Sequence, residues 1–138
     1  MSPELELQGV IVQRLKADPT VTALVNQRVY DRIPEGALFP YISYAGVDST
    51  SNDYDCIDGF DMFVQIDCWS RSDATPGFPE AHKMADAVRA ALFYVMPPVS
   101  LTVNALAIFN HQMTRVFRDP DGLTSHAAIT LEAVVERK

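Results

Sequence analysis

The chain has 138 residues, a formal net charge of −7 and a sequence pI near 4.7. Hydrophobic residues make up 48% and charged residues 21%, which is typical of a soluble globular protein and predicts a single domain over residues 1–138. Eleven Lys and Arg residues against eighteen Asp and Glu exclude a global basic surface for nucleic-acid phosphates. No apolar run is long enough for a membrane span, and the acidic start, MSPELELQG, does not resemble a signal peptide, so we expect a reducing cytoplasm.

Two main helices are predicted from apolar residues at helical spacing. In the first, Ser2 can cap the N-terminus and Pro3 suits the first helical position. This helix should end at Asp18-Pro19, because the residue before a proline avoids the α region. The second helix should begin near Pro79 and end before Pro97-Pro98. The apolar stripes are Leu7, Val10, Ile11 and Leu15 in the first helix, and Ala81, Met84, Ala85, Val88 and Leu92 in the second.

The clearest strand pattern lies in residues 55–71, DCIDGFDMFVQIDCWSR. Apolar residues alternate with other residues through its second half, and a period of two predicts a strand with one buried face. We therefore expect it to be the central strand of a sheet. Cys68 falls on the buried side as a small apolar residue, and two cysteines do not predict a disulfide framework. The residues on the buried side are Phe60, Met62, Val64, Ile66 and Cys68.

Shorter strands on both sides of this segment complete the predicted fold. A helical turn at residues 22–25 should precede the first of them. The order of the elements predicts an α+β domain, a mainly antiparallel β-sheet with two main helices packed on one face. The additional strands are residues 28–30, 41–48, 112–118 and 125–136.

Three connections between the strands have distinct predictions. The polar residues 49–55 predict a mobile loop, the tip of a long hairpin. Residues 101–108 predict a small hairpin with a tight turn at Asn104-Ala105. The tetrapeptide Asp119-Pro120-Asp121-Gly122 has proline and glycine where a type I turn favours them.

Few residues could support catalysis or bind a metal. The three histidines have no metal-ligand spacing, and we expect each to be exposed or partly buried. An acidic cluster superficially resembles a calcium loop, but the positions that need glycine and glutamate do not carry them. We therefore expect no catalytic residue, metal or cofactor, with a metal-binding loop as the alternative. The residues concerned are His82, His111 and His126, and Asp53, Asp55, Asp58 and Asp61.

The other side of the central strand mixes aromatic and charged residues. Phe63, Trp69 and Arg71 lie there, and Arg115 and Phe117 repeat the mixture on the penultimate strand. Trp and Arg are favoured at the centres of protein interfaces, so we predict that these five residues contact another subunit. The alternative is that a second layer of the same chain, such as the small hairpin, covers them.

Four segments together resemble one family. They contain FPYISY at residues 39–44, WSR at 69–71, GFPEA at 77–81 and RDPDGLTSHA at 118–127, in this order along nearly the whole chain. The sequence resembles the tail completion, or tail terminator-like, proteins of long-tailed phages, prophages and gene-transfer agents. Residues 49–55 and 93–109 match this pattern least.

The resemblance implies a non-enzymatic structural protein with the tail-terminator-like α+β fold. Such proteins form a ring, typically a hexamer, on the last ring of the tail tube, where they end tube polymerisation and join the tail to the head. The implied partners are further copies of the chain, the tail tube protein and a head-side connector or stopper protein. DNA would pass through the lumen without specific binding, and no membrane would be involved. The implied location is the virion tail or tail–head junction, after assembly in the bacterial cytoplasm.

Two loops are candidates for docking to the tube or connector. Their residues are Glu35, Leu38 and Phe39 in the first loop, and Asn52, Asp53 and Tyr54 in the second. The first alternative function is another head–tail connector or minor tail protein. The others are a small metal-dependent hydrolase that uses the acidic cluster, and a free-standing binding module, since a fold does not determine a function.

Overall fold

Three helices and five strands form the part of the chain that the computed structural model describes, residues 1–52, 58–74 and 76–137. This α+β arrangement confirms the predicted fold class. A full short helix stands where only a helical turn was expected. In chain order the elements are α1 (Pro3–Ala17), α2 (Pro19–Val25), β1 (Val29–Tyr30), β2 (Tyr41–Ser51), β3 (Gly59–Ser70), α3 (Pro79–Phe93), β4 (Ala105–Arg118) and β5 (Ser125–Glu136).

The five strands form one sheet in the order β1-β2-β3-β5-β4. The two-residue β1 runs parallel to β2, and the other three neighbouring pairs are antiparallel. β3 occupies the middle of the sheet, as the alternation in its sequence predicted. It pairs along its whole length with β5, from Gly59 opposite Glu136 to Ser70 opposite Ser125.

The helices pack on one face of this sheet. Side chains of α1 and α3 join the inward residues of β3 and β5 in one apolar cluster. Burying each large aliphatic side chain in such a cluster stabilises the fold by about 1.5–3 kcal/mol. Cys68 belongs to the cluster as predicted, and burial raises the pKa of its thiol. The inward residues of the two strands, each at most 1% exposed, are Met62, Val64, Ile66, Cys68, Ala127, Ile129, Leu131, Ala133 and Val135.

Side-chain caps begin the first two helices, and the sequence predicted the cap at Ser2. The Leu5 N–H donates to Oγ of Ser2 at the start of α1 over 3.1 Å. Asp18 then serves both helices. Its backbone N–H donates to the Leu15 carbonyl of α1, and its Oδ1 accepts from the N–H groups of Thr20 and Val21 in α2. The proline after Asp18 separates the two helices, because it disfavours helical backbone at Asp18.

The turn between β4 and β5 is also confirmed. The Gly122 N–H donates to the Asp119 carbonyl over 2.9 Å, which closes the predicted type I turn. Gly122 has a φ of 73°, a left-handed conformation that glycine adopts without steric cost.

Two predictions about the connecting segments are wrong, wholly for residues 101–108 and in part for residues 49–55. Residues 101–108 do not form a hairpin, because Asn104 is buried and residues from Ala105 onward belong to the single long strand β4. Ser49 and Ser51, expected in a mobile loop, continue β2 because they pair with Met62 and Phe60 of β3. The rest of that predicted loop is Asn52, which precedes the gap, and residues 53–55, which lie outside the described residues.

A buried carboxylate connects α1 to the segment before β4. Glu6 is only 7% exposed, and its side chain accepts hydrogen bonds of 2.8–3.0 Å from the backbone N–H groups of Thr102, Val103 and Asn104. The Asn104 side-chain amide donates a further bond over 3.0 Å. Burial alone would raise the pKa of Glu6, but these donors outweigh it and lower the pKa to about 2.

Replacing Glu6 should reveal this connection as a pH-dependent loss of stability. The folded pKa of about 2 lies below the ordinary value of 4.5 for a glutamate, so the carboxylate stabilises the fold above pH 4.5 and loses this effect as the pH falls towards 2. We expect Glu6→Gln to lower the free energy of unfolding by about 2 kcal/mol at pH 7. In urea unfolding, its difference from the wild type should shrink at pH 3. Glu35→Gln, in an exposed loop, is the control and should change little. If Glu6→Gln lowered the free energy of unfolding equally at pH 7 and pH 3, the result would contradict a role for the Glu6 charge.

Candidate functional site: the open face of the sheet

The face of the sheet opposite the helices, which we call the open face, carries several exposed apolar side chains. Phe63 on β3 is 36% exposed, and Ile108 and Met113 on β4 are 42% and 51% exposed. Among the residues that the structure describes, no helix packs against this face. The small hairpin that could have covered it does not exist, because those residues extend β4 in the plane of the sheet. Phe63 therefore keeps the exposure that an interface residue needs.

One row of rings crosses four strands at one end of the open face. Tyr41, Trp69, His126 and Phe117 lie directly opposite one another in the register of β2, β3, β5 and β4. The Trp69 and His126 rings stack with centroids 3.9 Å apart, and Phe117 lies 4.6 Å from His126 on the other side. Tyr41 stacks on Trp69 at 6.2 Å. Such cross-strand ring pairs stabilise a sheet.

Polar contacts hold this row within the subunit. The Trp69 indole N–H donates to Oγ of Ser43 on the next strand over 3.0 Å. Nε2 of His126 lies 3.0 Å from Oδ1 of Asp67, within ion-pair distance, although the angle does not satisfy a hydrogen bond. Nδ1 of His126 is 3.7 Å from a carboxylate oxygen of Asp119 in the turn. Trp69 is therefore partly a structural residue of the monomer.

Arg71 is likewise bound within the subunit. Its guanidinium pairs with the Asp121 carboxylate at 2.9 Å and donates to Oγ1 of Thr124, which attaches the end of β3 to the turn before β5. It also lies over the Phe39 ring, 4.7 Å from the centroid. The pKa of Asp121 is lowered, mainly by hydrogen bonds from the backbone N–H groups of Thr124 and Leu123, with Arg71 contributing less.

Arg115 and Phe117 lie side by side on β4, at the edge of the sheet. The Arg115 guanidinium is 4.9 Å from the centroid of the Phe117 ring, a cation–π contact. Arg115 is exposed, whereas Phe117 is half-buried against His126. Three of the five predicted interface residues therefore lie in or beside the aromatic row: Trp69 and Phe117 belong to it, and Arg115 contacts Phe117. Arg71 and Phe63 do not. Phe63 lies further along β3.

The first predicted docking loop is accessible in part. Glu35 is exposed and Leu38 is 70% exposed, whereas Phe39 packs against Tyr41 with ring centroids 5.0 Å apart. In the second loop, the Asn52 side-chain amide donates to the Asp61 carboxylate. Its other predicted residues, Asp53 and Tyr54, lie outside the described residues.

The described part of the chain brings together no group of three or more metal-ligating side chains. Asp53 and Asp55 of the acidic cluster fall outside that part. Asp58 is exposed and Asp61 binds Asn52. Within residues 1–52, 58–74 and 76–137, no helix has the length and apolarity to cross a membrane.

Sequence reasoning missed the residues that connect the row across strands. Tyr41, Ser43, Asp67 and His126 were not recognised as its members, because their proximity depends on the register of β2 and β5 against β3. The available signal was that each lies on the non-core side of a strand. The pattern of one strand does not show which residue of another strand lies opposite.

The two aromatic residues of β3 on the open face should differ in their effect on stability. We expect Trp69→Ala to lower the free energy of unfolding by about 2–3 kcal/mol, because it removes a stacked ring and a hydrogen bond. Phe63→Ala, on the same strand and face, should cost less than about 1 kcal/mol because its side chain is 36% exposed and therefore only partly packed. Chemical denaturation of both variants provides the measurement. Equal losses would mean that Phe63 also belongs to the folded core of the monomer.

Comparisons with known proteins show one matching family and two similar structures. A family model described as tail completion protein gp17 matches residues 9–136. A chain from the virion of a native gene transfer agent particle aligns with a TM-score of 0.85 and 25% identity, covering 99% of both chains. The gp17 protein of bacteriophage SPP1 shares the fold, with a TM-score of 0.63 and 20% identity over 94% of this chain and 88% of that one. Curated proteins give no significant sequence match.

These comparisons confirm the resemblance seen in the sequence. A tail completion protein is a structural component of the virion tail and not an enzyme, which confirms the predicted class and excludes the hydrolase alternative. The family model covers nearly the whole chain. This protein therefore belongs to the tail completion protein gp17 family.

Proposed function

We propose that this protein forms a closed ring, a hexamer, that caps the tail tube of a phage or gene-transfer agent. The ring sits on the last ring of the tube, ends tube polymerisation and presents a surface to the head-side connector or stopper protein. It acts at the tail–head junction of the virion, after assembly in the bacterial cytoplasm.

The observation that carries the proposal is the uncovered open face, in a chain of the tail completion family. Monomeric proteins rarely leave large apolar side chains together on a surface unless that surface binds a partner. Phe63, Ile108 and Met113 all project from this face. Arg115 adds an exposed cation, and arginine is enriched at interfaces.

A ring needs two different patches on each subunit, because a rotation that closes the ring brings one patch of a subunit against the other patch of its neighbour. Phe63 in the middle of the open face and Arg115 at its β4 edge are our candidates for these two patches. The exposed residues Glu35 and Leu38 lie in a separate loop that remains available to the tube or connector.

The charge of the chain supports passage of DNA through the ring without binding. Each copy has a net charge of −7, so a ring of six copies has fewer Lys and Arg side chains to neutralise phosphates than Asp and Glu side chains. An acidic surface repels the DNA backbone.

Addition of the purified protein to growing tail tubes tests the proposal. We expect the protein to bind one end of the tube and halt elongation, which electron microscopy would record as end-bound rings and as shorter, uniform tubes. Tubes that elongate as fast with the protein as without it would contradict termination. Binding to the head-side connector in that case would favour the alternative, a connector or minor tail protein.

A charge placed on the open face should prevent ring formation. We expect Phe63→Lys to remain folded, because the side chain is exposed, and to lose the ring in native mass spectrometry and light scattering of tube-bound protein. Ala23→Lys, at an exposed position of α2 on the opposite side of the sheet, is the matched control and should assemble normally. Normal rings from Phe63→Lys would exclude the open face as the subunit contact.

A further inference from the structure

Both edges of the sheet offer strand backbone without a partner. β4 is 14 residues long and pairs only with β5 on one side. At the other edge, β1 covers only Ile42 and Ser43 of β2. Among the residues that the structure describes, no strand pairs with residues 44–51 of β2 on that side. We call residues 44–51 the distal half of β2.

Edges of this length need protection, because their N–H and C=O groups can pair with other chains. Proteins protect edges with proline, lysine, bulges or very short strands. β4 contains neither proline nor lysine. Its pairing with β5 shifts between Leu106 and Ile108 and between His111 and Met113, but residues 113–118 are regular. Long open edges in a protein that assembles indicate a use for them.

The direction of the strands suits a contact between the two edges in a ring. β2 and β3 are antiparallel, as are β3 and β5, and β5 and β4. β4 therefore runs opposite to β2. A rotation that places copies side by side keeps the strand directions, so β4 of one copy meets β2 of the next copy in antiparallel orientation. Antiparallel pairing is the slightly more stable arrangement.

The charges of the two edges are complementary. The charged or chargeable side chains of β4 are His111, Arg115 and Arg118, with no carboxylate among them. In the distal half of β2 the charged residue is Asp48, which is exposed. Opposite charges across an interface favour one orientation and speed encounter.

The two edges also have different shapes on the open face. Beside the distal half of β2, the open face has a hollow of about 280 Å³ that is lined by residues 45–48, Phe63 and Gln65. On β4, Met113 and Ile108 project from the same face and are 51% and 42% exposed. In a continued sheet, side chains on one face of neighbouring strands lie next to each other. An apolar side chain of β4 can therefore enter the hollow of the next copy.

We propose that β4 of one copy pairs with the distal half of β2 of the next copy, so that the five-stranded sheets join into one continuous sheet around the ring. This inference rests on the ring of the proposed function. The occupant of each edge is a second copy of this chain, and closure of the ring gives the distal half of β2 a partner strand in β4.

Hydrogen–deuterium exchange of the separate subunit and of the assembled ring tests the inference. We expect backbone amides in residues 44–51 and 105–118 to exchange at least tenfold more slowly in the ring, and amides in the turn at residues 119–124 to exchange equally in both. A ring in which these two strands exchange as in the subunit would overturn the edge pairing while leaving the ring intact. Failure to form any ring would refute the proposed ring and this inference together.

A second measurement uses a charge on the β4 edge. Met113→Glu should keep the melting temperature of the subunit and weaken assembly at least tenfold, because it replaces an apolar side chain with a carboxylate that meets Asp48 in the hollow of the next copy. Leu123→Glu, at a position 69% exposed in the turn, is the control and should assemble like the wild type. Equal assembly of the two variants would overturn the proposed contact.

Discussion

All three helices pack on one side of the sheet, and this one-sided packing determines the rest of the structure. Alternation along β3 and β5 places apolar side chains beneath the helices, and no helix among the described residues covers the other face. Residues of the open face must therefore find partners in the sheet itself. Trp69 does so through Tyr41 and Ser43 of β2 on one side and His126 of β5 on the other.

The interface hypothesis gains detail from these contacts. A Trp or Arg on an uncovered face suggests a binding residue, yet Trp69 and Arg71 also stabilise the subunit that presents them. Phe63, Arg71 and Arg115 are the exposed ones among the five predicted residues, and of these Arg71 is bound to Asp121 within the subunit. The aromatic row can support an interface as a rigid platform, because its rings are already positioned before any partner arrives.

Features that depend on nearby residues could be predicted from the sequence. The cap at Ser2, the turn that ends in Gly122 and the alternation of β3 each follow from a few consecutive residues. Contacts between distant segments could not be predicted. Asn104 suggested a tight turn because its side chain favours turns, whereas in the structure it binds Glu6, 98 residues earlier. The register that forms the aromatic row is hidden in the same way, because no single strand contains it.

The strand order has a consequence for how the chain folds as it is synthesised. β3 lies between β2 and β5, and β5 follows every other element in the chain, so the middle of the sheet remains open until residues 125–136 have left the ribosome. Contacts between segments so far apart form slowly, because a long loop must close before they contribute to stability. Until then, the edge of β3 that pairs with β5 has no partner on the nascent chain. A subunit that lacks β5 has no complete sheet, so the fold itself restricts assembly to chains that have been translated through residue 136.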